Sequence, residues 1–211
     1  LLKSALLLAL GLITTLSHAV EVRFAPVAPG VFAFVGEKGG RTYENEGLNA
    51  NLGLVVTPAG ALLIDSGASL QGAKRIAAAV KQVTPLPIKW VINTGGQDHR
   101  WLGNGYFKAQ GAEIMAHADA EADMKARGPE HLKANAPVLK EKMDGTEIVL
   151  PTRWLKDADT TLDLGGVAVH VVHRKGGIAR HVPRRRHGAG RRRRSPRSGA
   201  GSPRLGHARH K

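Results

Sequence analysis

The chain has no cysteine in its 211 residues, which excludes disulfides, thiolate zinc sites and cysteine nucleophiles. Any metal bound here must be held by His, Asp, Glu or neutral oxygen donors. The apolar segment near the start is about 12 residues long, short of the ~20 needed to span a bilayer. Aromatic residues make up only 4%, and none lies among the basic residues at the C-terminal end. The stacking platforms of single-strand nucleic-acid binders are therefore missing there. Acidic residues are absent from 174 to 211, a stretch holding 14 of the 31 Lys and Arg. The rest of the chain carries 17 residues of each sign, so the net charge of +14 lies entirely in the tail. The body is balanced, and its totals give no reason to seek nucleic acid or membrane.

What is present begins with a targeting pattern. Lys3, an apolar segment over residues 4–13 and the small-x-small site Ser17-His18-Ala19 form a secretory signal. The expected location is periplasmic or secreted, with no stable membrane insertion after cleavage. From residue 20 the chain is expected to start in β structure, with short strands at 20–23 and 31–35 separated by Pro26 and the Pro29-Gly30 turn. A strand at 52–56, a turn at 57–60 and a strand at 61–64 read as a hairpin. Residues 69–83 place Ala73, Ile76, Ala77, Val80 and Val83 at helical spacing, which predicts an amphipathic helix. Pro85 and Pro87 end it. Strands follow at 88–92 and 113–116, with helices at 102–110 and 119–127. A charged helix broken at Pro137 is expected over 130–142, then β segments at 149–155, 160–164 and 167–172.

From about residue 173 hydrophobic periodicity stops. Arg184-Arg185-Arg186 and the arginines at 191–194 stand among Gly, Ser, Pro and His, a composition too polar to offset its own conformational entropy. The tail is expected to be disordered and to bind polyanions non-specifically through counterion release.

The most informative stretch runs from 61 to 104. One strand ends in Ile64-Asp65-Ser66-Gly67, a helix follows, and a second strand ends in Ile92-Asn93-Thr94 before Gly95-Gly96-Gln97-Asp98-His99-Arg100-Trp101-Leu102-Gly103-Asn104. That order fits two parallel strands joined by a helix. In open α/β sheets ligands sit at the carboxyl ends of strands, so function is sought around Asp65, Asp98 and His99.

These segments resemble the metallo-β-lactamase superfamily over about residues 31–172. The phrase from Asn93 to Asn104 is similar to a subgroup of exported zinc-hydrolase-like proteins associated with quinoprotein systems. The resemblance implies an αββα sandwich, zinc, a small-molecule substrate, and hydrolysis of an ester, thioester or amide by metal-bound hydroxide. It also implies that Asp98 and His99 lie on the metal side, Asp98 as the catalytic carboxylate, with Asp65 and Gln97 supporting them.

This chain departs from the family's HxHxDH pattern. Counted forward from Thr94, the leading histidine slots fall on Gly95 and Gln97; counted back from Asp98-His99, they fall on Thr94 and Gly96. Both registers lose the two leading histidines, and Gln97 offers only a weak neutral oxygen. His173 stands where the approach to a later ligand is expected, but no Asp follows it. The expected organisation is a signal peptide at 1–19, a partial sandwich at 20–173 lacking its second half, and the basic tail at 174–211. The tail's Arg, Gly, Pro, Ser, Ala and His suggest a GC-rich gene read out of frame from about residue 178.

Plainer roles compete with each of these. Asp98 could cap the helix that follows it, and His99 could simply line the loop. His117, after the 113–116 strand, reads as a loop-packing residue near the pocket, and His173 faces the same edge. With too few donors, the expectation is little or no hydrolase activity. The competing classes are a non-catalytic exported binding module and a polyanion binder acting through the tail.

Overall fold

The structure is a computed structural model that describes residues 20–174. The expected signal segment at 1–19 and the expected tail beyond 174 lie outside the described residues. Among the described residues nine strands, β1 (Ala25–Ala28), β2 (Val31–Phe34), β3 (Leu52–Thr57), β4 (Gly60–Ile64), β5 (Ile88–Asn93), β6 (Glu113–His117), β7 (Arg153–Leu155), β8 (Asp159–Asp163) and β9 (Ala168–Val172), form two sheets. The first holds β1 to β7 in sequence order and the second pairs β8 with β9. From β1 to β4 the pairs are antiparallel, and from β4 to β7 they are parallel. The helices are α1 (Leu70–Val83), α2 (Asp98–Trp101), α3 (Asn104–Ala109) and α4 (Glu121–Leu139).

The layers follow from strand alternation. On β4, Ala61 and Leu63 join a core with Ile76 and Val80 of α1, Phe107 of α3, Val91 and Ile114. Leu62 points the other way, into a core with Ile92, Met115, Leu155, Leu162 and Leu164 beneath the second sheet. Because side chains alternate with period two, one buried strand serves both faces. Helices cover one face of the first sheet and the β8–β9 sheet covers the other, giving three layers of the four-layer sandwich that the family resemblance implies. The outer face of β9 carries exposed Ala168, His170 and Val172, and no outer helix covers it among the described residues.

Helix α1 forms as its periodicity predicts. Ser69 is its N-cap and accepts from the Gly72 N–H at 3.0 Å, a bond worth about 1 kcal/mol. Three expectations are corrected. Residues 20–23 form no strand; Val20 and Val22 pack on the core without a ladder, and the first strand contains Pro26, which an edge strand tolerates. The helix expected at 102–110 is instead α2 and α3, divided at Leu102-Gly103. The break expected at Pro137 is absent, and α4 runs through both Pro129 and Pro137. Buried Met124 and Leu139 anchor its two ends, and that packing offsets the lost backbone bonds.

No helix among the described residues is long and apolar enough to cross a membrane.

Candidate functional site

The site region is the carboxyl edge of β4, β5 and β6, where Asp65, Thr94 and His117 stand at the ends of neighbouring parallel strands. Asp65 sits at φ 65°, a left-handed conformation that Asp tolerates better than most residues. Its backbone N–H still donates to the Ile92 carbonyl at 2.9 Å. Its carboxylate accepts from the Thr94 N–H and from the Thr94 hydroxyl, both at 2.7 Å. Arg100 donates to the same hydroxyl oxygen and lies 3.8 Å from Asp65 Oδ2. Burial pushes the Asp65 carboxyl above its usual range, and the Thr94 bonds and the Arg100 charge pull against that rise. With both oxygens occupied by Thr94, Asp65 ties two strand ends together.

A second set of buried polar groups fixes the loop after Thr94. Asn104 Oδ1 accepts from Ser66 Oγ at 2.9 Å and from Asn93 Nδ2 at 3.0 Å, while its amide donates to Asn93 Oδ1 and to the Val149 carbonyl. Asn93 and the Ser66 N–H also bond the Arg100 carbonyl, at 2.8 and 2.9 Å. All three side chains are essentially fully buried, where paired polar groups specify one arrangement and unpaired ones are costly. Ser66, Asn93 and Asn104 belong to the motif text, but their mutual bonding is not visible in sequence.

Asp98 and His99 are adjacent in sequence yet serve different surroundings. Asp98 is 4% exposed, and Arg41 Nη2 lies 2.7 Å from its Oδ1 and 2.6 Å from its Oδ2. Burial alone would push this carboxyl up. The His99 N–H and ring, together with the Arg41 guanidinium, overcome that and hold it down at about 2. His99 Nδ1 is 3.3 Å from Asp98 Oδ1 but outside hydrogen-bonding geometry. The N-cap of α2 is Gln97, so Asp98 is the first helical residue rather than the cap, and its Oδ1 accepts from the His99 N–H at 2.9 Å. His131 of α4, packed edge-on to Trp101, has its ring pushed toward the neutral form by burial, with the Asp98 charge opposing.

His99 instead borders a cavity of about 440 Å³ lined with Asn51, Ile64, Asp65, Thr94 and Arg100. Arg100 Nε is buried there without a partner among the described residues. The cavity therefore offers one guanidinium and one imidazole, while its single acid is already bonded to Thr94.

The zinc implied by the resemblance does not fit this loop. A Cβ on Gly96 would overlap Asp123 Oδ2, with Asp123 Cγ 3.1 Å away, and Arg127 holds that carboxylate at 2.5 to 2.6 Å. A Cβ on Gly95 would lie 2.7 Å from the Gln97 amide oxygen. Both atoms are the far ends of side chains that can swing aside, so what the loop lacks is the leading imidazoles themselves, with Thr94, Gly95, Gly96 and Gln97 at those positions. The Asp98 carboxylate is already neutralised by Arg41, and two adjacent donors fall short of the three or four protein ligands zinc sites use. Among the described residues, neither Asp98 nor His99 belongs to a cluster of potential metal ligands.

His117 and His173 meet elsewhere on the strand-end edge. Their rings stack with centroids 3.5 Å apart and planes 6° apart, and Asp119 Oδ2 lies 3.0 Å from His173 Nε2. His117 thus stacks on the residue that follows β9, while its Nδ1 accepts from the Asp119 N–H of its own loop at 3.2 Å. Arg41 and Asp119 were missed in the sequence. Arg41 lies 57 positions from its partner in a polar, glycine-rich segment and carries no local signal. Asp119 had one, since it follows His117 by two residues.

Against known proteins, the family model described as the metallo-beta-lactamase superfamily matches residues 45–182, more than half of the chain. No curated protein matches. Among solved structures, a metallo-beta-lactamase from Pseudomonas aeruginosa in its mono-zinc form is 22% identical over 53% of this chain and 48% of its own, with a TM-score of 0.45. One from Hirschia baltica is 16% identical over 69% and 57%, with a TM-score of 0.48. One from Pontibacter korlensis is 18% identical over 71% and 59%, with a TM-score of 0.47. The chain spans less than two thirds of the length of these structures.

Proposed function

Because the chain belongs to the metallo-beta-lactamase superfamily, a fold of zinc-dependent hydrolases, we propose that it is a non-hydrolytic member that binds a small polar molecule in the cavity beside His99. The observation that carries this reading is the Arg41–Asp98 ion pair. It commits to structure the carboxylate expected on the metal side. The donors facing the cavity, Arg100 and His99, suit an anionic or hydrogen-bond-accepting ligand, because a guanidinium has donors only. The three-part pattern at residues 1–19 supports a location outside the cytoplasm, periplasmic or secreted.

The test is turnover of a chromogenic β-lactam, an aryl ester and a thioester by the full chain supplied with zinc. The expected result is a rate indistinguishable from that of His99→Ala with each substrate. Zinc-dependent turnover that His99→Ala abolishes would overturn the reading.

A second reading concerns the basic tail, which carries 14 cationic residues and no acid. Polyanion binding driven by counterion release should fall steeply with salt. Removing residues 178–211 is expected to eliminate retention on a DNA column at low salt. Retention by the shortened chain would place the binding elsewhere.

A further inference from the structure

We propose that His117, Asp119 and His173 form a binding site for a divalent transition-metal ion, separate from the Asp98-His99 loop and joining the two sheets. Their ligand atoms all lie within 4.8 Å of one another, and among the described residues no other group of three or more His, Asp or Glu does so. His117 ends β6 of the first sheet, Asp119 lies in the 3-10 turn Ala118–Ala120, and His173 follows β9 of the second. Two imidazoles and a carboxylate are the borderline donors that zinc, cobalt and nickel prefer.

Hydrogen bonds hold the three residues close together. His117 Nδ1 accepts the Asp119 backbone N–H at 3.2 Å and lies 3.8 Å from Asp119 Oδ2. An ion bound at Nδ1 takes the ring's one lone pair over from that N–H. On the other side Asp119 Oδ2 and His173 Nε2 are 3.0 Å apart, a contact in which a metal takes the place of the shared proton.

Parallel rings point their lone pairs side by side, so one ring must turn for both to reach one ion. His173 is the ring with room, its side chain 25% exposed against 15% for His117. Its backbone stays in place, because the His173 N–H donates to the Ala158 carbonyl at 2.7 Å. The ion would then act as a clamp between β6 and the β8–β9 sheet.

Zinc chloride added to the full chain tests this, with thermal unfolding and metal stoichiometry as readouts. A ligand that binds the folded state better than the unfolded one raises Tm, and the three variants distinguish this site from histidines elsewhere in the chain. One zinc per chain with a raised Tm is expected. Affinity should fall at least tenfold in His117→Asn, Asp119→Asn and His173→Asn, and should persist in His99→Asn. Asp119 is half exposed, so its variant retains the fold even if a histidine variant does not. A cobalt-loaded chain should show a visible absorption band that the Asp119 variant loses. No Tm rise with zinc, or a rise removed by His99→Asn and kept in Asp119→Asn, overturns the proposal.

Discussion

Replacing Arg41 with methionine is expected to lower the unfolding free energy at pH 7 by about 3–5 kcal/mol, the usual cost of stranding a buried charge. The arginine contributes far more by its absence than a surface pair would, because Asp98 is 4% exposed. In the intact protein the Asp98 carboxyl is held at about 2 against an ordinary 3.8, a difference worth about 2 kcal/mol. Its sign is that of a depressed acid: the stabilisation is complete above about pH 4 and disappears as pH falls toward 2. Without Arg41 the carboxyl rises from that depressed position, with the His99 contacts still opposing burial. The variant should then lose less stability on acidification than the parent does. Urea melts at pH 7 and pH 3 check this, and the gap between the two proteins should narrow at the lower pH. Adding Asp98→Asn to the variant should recover part of the loss at pH 7, because it removes the stranded charge. A loss below about 1 kcal/mol at pH 7 would show that Asp98 finds another partner or water.

That ion pair marks where the sequence stops being readable. The β4-α1-β5 unit is legible because its cues are local: the apolar run of β4, the helical spacing of Ala73, Ile76 and Val80, and Pro85 and Pro87 after the helix. The departure at Gly95, Gly96 and Gln97 is legible too, because it concerns which side chains exist. The Arg41–Asp98 pair depends on loop closure across 57 positions. The buried Glu46 set is similar, since Arg75 comes from α1 and Lys142 follows α4. The course of α4 through Pro129 and Pro137 reflects tertiary anchoring by Met124 and Leu139 that no propensity contains. Likewise His117 and His173 each look like isolated strand-end histidines, and only the packing of one sheet on another brings them into a pair.

The Gly103→Ala variant is expected to lose about 3 kcal/mol or more, whereas Gly105→Ala, two residues on, should be neutral or slightly stabilising. A Cβ at 103 would overlap the Ser66 carbonyl oxygen and lie 2.9 Å from its carbon and 3.0 Å from Ala73 Cβ. Relief by a small backbone shift is blocked, because Gly103 N–H donates to the Gly67 carbonyl at 3.1 Å and Ser66 N–H to the Arg100 carbonyl at 2.9 Å. Moving the loop away would break these bonds and open the Ser66-Asn93-Asn104 network, adding unpaired buried groups to the steric cost. At 105 the new Cβ would meet only Val149 Cγ2 at 3.4 Å, and alanine is the better helix former inside α3. Both changes add one methyl group and lie two positions apart, so a difference between them isolates close backbone approach from loss of glycine freedom. The Gly103 variant should also disturb His99 and Arg100, which the same loop carries to the cavity. Equal denaturation midpoints for the two variants would mean that the contact between this loop and the end of β4 is looser than its hydrogen bonds imply.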